Sequence, residues 1–297
     1  MSLITRRKFG TLAAGAMLAG PVLAQAAEPL VLRVIPSTGE QMPPVGLGTS
    51  QVFASNDDAT RDAAAKVIRT LVAAGGRLID TASVYQDSEL VIGEAFAATG
   101  LRDKVFIATK AEEPDEDEVR RSLSRLKVAK LDLLQLHNVN DRKQSLARFR
   151  EWKAQGICRY IGITSTYHGD FAAVEAVLAR EKPDFVQIDY SIDDREAEKR
   201  ILPIAAEVKA AVLTALPFGR ARLFRAVRGK PVPDWANGFA GSWAQFFLKF
   251  LIADPRITAV IPGTNDAAHM ADNLRAQRGA LPDPEQRKRM AAFIDAL

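Results

Sequence analysis

Eight short apolar runs, each separated from the next by a longer amphipathic stretch, organise the sequence from residue 45 onward. They lie at 45–48, 78–82, 105–109, 131–137, 160–164, 185–189, 211–216 and 258–261. Each is four to seven residues long and rich in Val, Ile, Leu or Phe, with little polar alternation. Strands covered on both faces of a parallel sheet have this pattern. Between them fall helical patterns at 58–74, 88–98, 116–126, 144–155, 171–180, 197–209, 243–252 and 267–274. Asp57, Asp87, Asp115 and Asp170 stand at N-cap positions, and Gly75-Gly76, Gly100 and Gly156 stand where helices should stop. Eight strands alternating with eight helices in about 250 residues is the arithmetic of a (β/α)8 TIM barrel. A doubly wound open sheet is the structural competitor. A hairpin over 31–41, turning at Ser37-Thr38-Gly39, is expected before the first barrel strand.

The first 27 residues stand apart from this alternation. Arg6, Arg7 and Lys8 precede a chargeless stretch that ends in Ala24-Gln25-Ala26, the plan of a cleavable signal peptide. Thr5-Arg6-Arg7-Lys8-Phe9 resembles a twin-arginine export signal. Ten of the nineteen residues from 9 to 27 are Ala or Gly, and Pro21 interrupts them, so a stable membrane anchor is not expected. The expected organisation is a signal at 1–27 and one barrel domain at 28–297. The twin-arginine machinery would then be a partner and the periplasm the destination.

Composition and charge narrow the function classes. With 47% apolar and 26% charged residues, neither disorder nor a collagen-like chain fits. A single Cys excludes an intramolecular disulfide framework and any multi-Cys metal site. The 40 Lys and Arg exceed the 36 Asp and Glu by four. Three of those cations lie in the export segment, so the remainder carries 37 − 36 = +1. No nucleic-acid partner is expected from so small an excess.

In barrels of this class the chemistry sits where the strands end. Strand two ends in Asp80 with Tyr85 in the following loop, strand three ends in Lys110, and strand four ends in His137. Lys110 near Tyr85 should favour the phenolate and lower its pKa, with Asp80 holding the ammonium in place. His137 should donate a hydrogen bond to an oxygen beside Tyr85. Such a set can protonate a carbonyl oxygen while another group delivers hydride to the carbon. Lys110 as a Schiff-base nucleophile is a rival reading, and no metal site is expected.

The chain resembles the aldo-keto reductases over nearly all of residues 31–297. The resemblance rests on the stretches 35–40 and 46–49, on Asp80-Thr81-Ala82-x-x-Tyr85-x-x-Ser88-Glu89, and on Lys110 and His137. It implies reduction of a small carbonyl substrate, with Tyr85 as proton donor, Lys110 and Asp80 tuning it, and His137 steering the carbonyl. It further implies a nicotinamide cofactor, NADPH with NADH as the alternative, held along the strand ends. Thr164, Ser165 and Gln187 correspond to the carboxamide ligands, although Ser165 replaces an amide side chain. Pro217, Gly219 and Arg220 correspond to the pyrophosphate loop, and Gly263, Thr264, His269, Asp272 and Asn273 to the adenosine end. Ala215 stands where many relatives carry an aromatic residue against the nicotinamide, and Phe218 is a candidate to compensate. These weakened contacts leave open a nucleotide-binding sensor that lost useful catalysis.

Three features are read as structural or left open. The acidic run Glu112-Glu113-Pro114-Asp115-Glu116-Asp117-Glu118 reads as a solvated helix start. Cys158 reads as a buried small hydrophobe. Phe53, Phe218, Trp235 and Trp243 either line a substrate pocket or pack a lid.

Overall fold

Strands without alternation need cover on both faces, and a parallel sheet wrapped in helices supplies it. The computed structural model, which describes residues 28–297, has this arrangement. A hairpin of β1 (Arg33–Val34) and β2 (Gln41–Met42) comes first, turning through Gly39 at φ 79°. Eight parallel strands follow: β3 (Leu47–Gly48), β4 (Leu78–Asp80), β5 (Phe106–Ala111), β6 (Leu131–Leu136), β7 (Cys158–Ser165), β8 (Phe185–Asp189), β9 (Ala211–Ala215) and β10 (Ile257–Val260). Their order in the sheet is their order in the chain. Parallel bridges at Val45–Val260 and Gly48–Gly263 join the first strand to the last. The amide of Gly46 also donates to the Val260 carbonyl at 2.9 Å, so the sheet curls back on itself.

Among the described residues ten α-helices accompany the strands: α1 (Asp58–Ala73), α2 (Ser88–Thr99), α3 (Glu116–Leu126), α4 (Ala147–Ala154), α5 (Phe171–Glu181), α6 (Glu196–Glu207), α7 (Arg222–Ala226), α8 (Trp243–Ile252), α9 (Ala267–Arg275) and α10 (Pro284–Asp295). Asp57 and Asp115 cap α1 and α3 by accepting from the amides of Thr60 and Asp117. Asp87 and Asp170 do not cap; they accept from the Asn56 amide and the Ser165 hydroxyl and so tie neighbouring loops together. Helix α4 begins three residues later than the periodicity predicts. The Gln144 carboxamide bonds back to the amides of Asn140 and Asp141 and keeps that segment a loop. Helices α7 and α10 fall outside the eight expected. Asp283 forms a capping box with Gln286 at the start of α10, with Pro284 in its first turn.

Two apolar layers hold the barrel. Inside, Leu78, Phe106, Leu133, Tyr160, Phe185 and Leu213 pack with Ile35 and Met42 of the hairpin. The Tyr160 hydroxyl, bonded to Thr38 and Glu40, ties the hairpin to the end of the barrel where the strands start. Outside, the strands bury Val, Ile and Leu against the helices, each such side chain stabilising by about 1.5–3 kcal/mol. Helix α2 approaches α3 so closely that a Cβ on Gly93 would lie 2.0 Å from the Arg125 carbonyl oxygen. Among the described residues no helix is long and apolar enough to cross a membrane. The signal expected at 1–27 lies outside the described residues.

Candidate active site

The two-residue period of the strands points Asp80, Lys110, Gln135 and Gln187 to the barrel interior, directly above the apolar plug. The Lys110 ammonium donates to Asp80 Oδ2 at 2.7 Å and to the Thr81 carbonyl at 2.7 Å. Gln135 Nε2 donates to Gln187 Oε1 at 2.7 Å and to Asp80 Oδ1 at 3.4 Å, and Gln187 Nε2 reaches Asp80 Oδ2 at 3.3 Å. Gly162 stands between Gln135 and Phe185 in the register. A Cβ there would lie 3.0 Å from Gln135 Cγ, so its absence gives the glutamine room beside Phe185. A buried ion pair thus rests on two carboxamides: Gln135 satisfies the remaining carboxylate oxygen, and Gln187 adds to the one that Lys110 bonds.

Tyr85 rides on the loop after β4. Its backbone amide bonds to the Ala82 carbonyl, and its carbonyl accepts from the Ser88 amide. Beneath that loop runs a chain of buried hydroxyls: Thr81 donates to Ser88, Ser88 to Thr49, and Thr49 to the Asp80 carbonyl at 2.9 Å. Glu89, also buried, accepts from Thr109 at 2.7 Å, and burial raises its carboxyl above the usual range. Ser88 and Glu89 therefore anchor the loop and take no place at the cavity wall. The Lys110 nitrogen lies 5.0 Å from the centre of the Tyr85 ring, and the His137 ring meets Tyr85 edge-on at 5.9 Å.

These contacts correct two expectations. Burial outweighs the Lys110 ammonium, so the Tyr85 phenol lies above its ordinary pKa of 10.0, not below it. Lys110 still acts in the expected downward direction, while Asp80 and Glu112 push upward. His137 lies below its ordinary 6.5, first through burial and then through Lys110. Its Nδ1 is engaged by the carboxylate of Glu112, a residue the sequence reading assigned to a solvated helix start. Only a structure brings Glu112, two residues past Lys110, to the ring. A neutral imidazole whose Nδ1–H faces a carboxylate carries a lone pair on Nε2, so the expected donor role of His137 requires the imidazolium.

A cavity of about 640 Å³ opens over this cluster, walled by Asp80, Tyr85 and His137 on one side. Thr164, Gln187, Pro217, Arg220 and Gly263 line it, as do Ala215, Phe218 and Phe224. Lys110, 1% exposed and bonded to Asp80 and the Thr81 carbonyl, stays behind the wall and does not line the cavity, which disfavours a Schiff-base role. Ser165 points the other way along β7 and spends its hydroxyl on Asp170, while Thr166, passed over in the sequence, faces the cavity. Gly219 sits in a segment where Leu216, Gly219, Arg220 and Ala221 all have positive φ, a strained turn of the kind found at ligand sites. The Arg222 side chain lies across Gly219 and pairs with Asp193.

At the far end Gly263 reaches the cavity, but its neighbours have structural tasks. Thr264 accepts from the Asp266 amide, and Asp266 caps α9 through the amides of Ala268 and His269. Asp272 holds the start of α8 through Ser242 and Gln245, both at 2.6 Å. Asn273 is buried, and His269 is exposed. Of the four aromatic residues left open, only Phe218 lines the cavity. Phe53 is core, and Trp235 and Trp243 pack on Phe246 and Phe293.

A family model described as the aldo/keto reductase family matches residues 44–294. The chain belongs to the aldo/keto reductase family. It is 28% identical over 244 residues to methylglyoxal reductase YeaE of Escherichia coli strain K12, covering 78% of this chain and 84% of that one. An aldo-keto reductase from Klebsiella pneumoniae, solved in complex with NADPH, superposes with a TM-score of 0.75 at 23% identity, over 89% of this chain and 95% of that one. Bombyx mori AKR2E4, solved in complex with NADP, superposes with a TM-score of 0.68 at 24% identity, over 90% and 93%. The aldo/keto reductase match spans all eight barrel strands and both walls of the cavity.

Proposed function

We propose that the protein reduces small aldehydes and ketones to alcohols with NADPH, NADH being the alternative donor. The observation that carries this reading is the convergence of Tyr85, His137 and the buried Lys110–Asp80 pair on one cavity. The donor set fits a dinucleotide. Thr164 and Gln187 offer a hydroxyl and a carboxamide to the nicotinamide amide, and Phe218 offers a ring face near the small Ala215. Arg220, exposed on the strained turn, offers a guanidinium to the diphosphate. Bound there, the reduced nicotinamide supplies the hydride.

The chain's own residues supply the proton and its placement. Tyr85 carries its proton at neutral pH, burial moving its pKa further above the ordinary 10.0, and it gives that proton to the carbonyl oxygen as charge develops there. The Lys110 ammonium, 5.0 Å from the centre of the Tyr85 ring, then stabilises the tyrosinate. Asp80, itself held by Gln135 and Gln187, and the Thr81 carbonyl keep the ammonium in position. His137, edge-on to Tyr85 in the same cavity wall, would border the substrate oxygen.

Methylglyoxal, the substrate in the name of the E. coli relative, is the first compound to test. Consumption of NADPH that depends on methylglyoxal or another aldehyde supports the reading, and absence of any nicotinamide nucleotide affinity overturns it. We also propose export by the twin-arginine route to the periplasm, supported by Thr5-Arg6-Arg7-Lys8-Phe9 and the Ala24-Gln25-Ala26 end of the leader. Cell fractionation with Arg6 and Arg7 changed to Lys tests it: retention of the variant in the cytoplasm is the supporting result.

A further inference from the structure

Glu112 stands at the point where β5 leaves the barrel, and its backbone is fixed from below. Its amide donates to Glu118 Oε1 at 3.1 Å, the next amide reaches Glu118 Oε2, and the Ser83 hydroxyl bonds the same Oε1. So held, the Glu112 side chain reaches Nδ1 of His137 while remaining 41% exposed to solvent. An ionised carboxylate has no proton to give, so the hydrogen in this contact belongs to the imidazole. In the neutral ring that choice puts the hydrogen on Nδ1 and a lone pair on Nε2.

We propose that Glu112 is a positioning residue that fixes His137 in its Nδ1–H tautomer, making Nε2 a proton acceptor in the neutral ring and a donor only in the imidazolium. This rests on the reductase reading and deepens it, because it gives the two directions of the reaction different protonation states of one residue. In reduction, the imidazolium Nε2–H bonds the carbonyl oxygen while the Tyr85 hydroxyl proton moves to that oxygen and completes the alcohol. The Nε2 proton then returns the tyrosinate to phenol, the ring keeps its Nδ1–H, and solvent restores the Nε2 proton. Each turnover consumes one hydride and one proton. In alcohol oxidation the same steps run backward, so the neutral ring is the competent form: its Nε2 accepts the Tyr85 proton, and the tyrosinate so formed takes the proton of the alcohol.

The charges facing His137 set the direction of the pH effect. Lys110 on β5 disfavours the imidazolium, while Glu112 on the same strand end and Asp80 on β4 favour it, and Tyr85 meets the ring edge-on. Glu112→Gln keeps an acceptor for Nδ1–H but removes a charge that supports the imidazolium. Glu112→Ala removes both.

Nitrogen-15 NMR of the full chain decides the tautomer without any turnover, and with only three histidines the signals are tractable. The expected result is an Nδ1–H ring in the wild type, the same tautomer with a lower pKa in Glu112→Gln, and a population of the Nε2–H form in Glu112→Ala. In kinetics, Glu112→Gln should lower kcat for reduction by about tenfold near pH 6, the effect of one pKa unit. The KM for NADPH and the rate of alcohol oxidation at higher pH should not change. An Nε2–H ring in the wild type, or tautomer and pH profiles unchanged in Glu112→Ala, would overturn the proposal. A chain that turns over no carbonyl but shows the expected tautomers would sink the reductase reading and leave the role of Glu112 standing.

Discussion

Replacing Lys110 by Met leaves the Asp80 carboxylate beneath the cavity without its ammonium. The two groups lie 2.7 Å apart, with side-chain exposures of 1% and 3%. At an effective permittivity of about 20, their attraction is roughly 6 kcal/mol. Desolvation costs several kcal/mol for each ion, so the intact pair contributes little net stability. Breaking it is another matter, because a lone buried charge costs about 3–5 kcal/mol. Gln135 at 3.4 Å and Gln187 at 3.3 Å continue to donate to Asp80, which puts Lys110→Met near the lower end, about 3 kcal/mol. Asp80→Leu leaves Lys110 with the Thr81 carbonyl alone and should cost more. Urea unfolding at neutral pH of the two single variants and the double variant measures these terms. The double variant should be more stable than the sum of the singles by about 2 kcal/mol. Single losses below about 1 kcal/mol, adding without coupling, would refute the buried-pair reasoning.

Three further outcomes follow from particular contacts. Thr164→Val should weaken nucleotide binding while Ser165→Ala leaves it unchanged, because only Thr164 faces the cavity and Ser165 is committed to Asp170; fluorescence titration with NADPH separates the two. Gly93→Ala forces a methyl against backbone at 2.0 Å and should cost about 3 kcal/mol or prevent folding, read by thermal unfolding. Cys158 is pushed up to about 12 by burial, so below that pH it stays a thiol, and a disulfide reagent near pH 8 should label the native chain only as it unfolds.

The barrel was legible because parallel strands must be apolar on both faces, and that demand marks the sequence strongly at all eight strand positions. Strand ends shifted by no more than two residues. What eluded the pattern was decided by side chains. Gln144 spends its carboxamide on preceding amides and delays α4, and Asp87 and Asp170 bond across loops instead of capping. The Asp283-Pro284-Glu285-Gln286 signature of α10 is plain once sought, and it lies beyond the eight-fold count. At the site, strand ends delivered Asp80, Tyr85, Lys110 and His137 to one place, as spacing predicted. The direction of the Tyr85 shift was not readable, because burial and charge oppose each other and only depth decides between them. The pleat turns Ser165 away and Thr166 inward, and Asp272 has its own work at α8. Glu112 is chemically indistinguishable in sequence from five other acids in its run.

The central claim is that Tyr85 delivers the proton that completes a hydride transfer to a carbonyl. Single-turnover measurement of NADPH oxidation by methylglyoxal, or by an aldehyde the enzyme turns over, in the wild type and in Tyr85→Phe tests it most directly. Both proteins should bind NADPH with the same affinity, and the variant should transfer hydride about 10²–10⁴-fold more slowly. Equal rates in the two proteins would contradict the account.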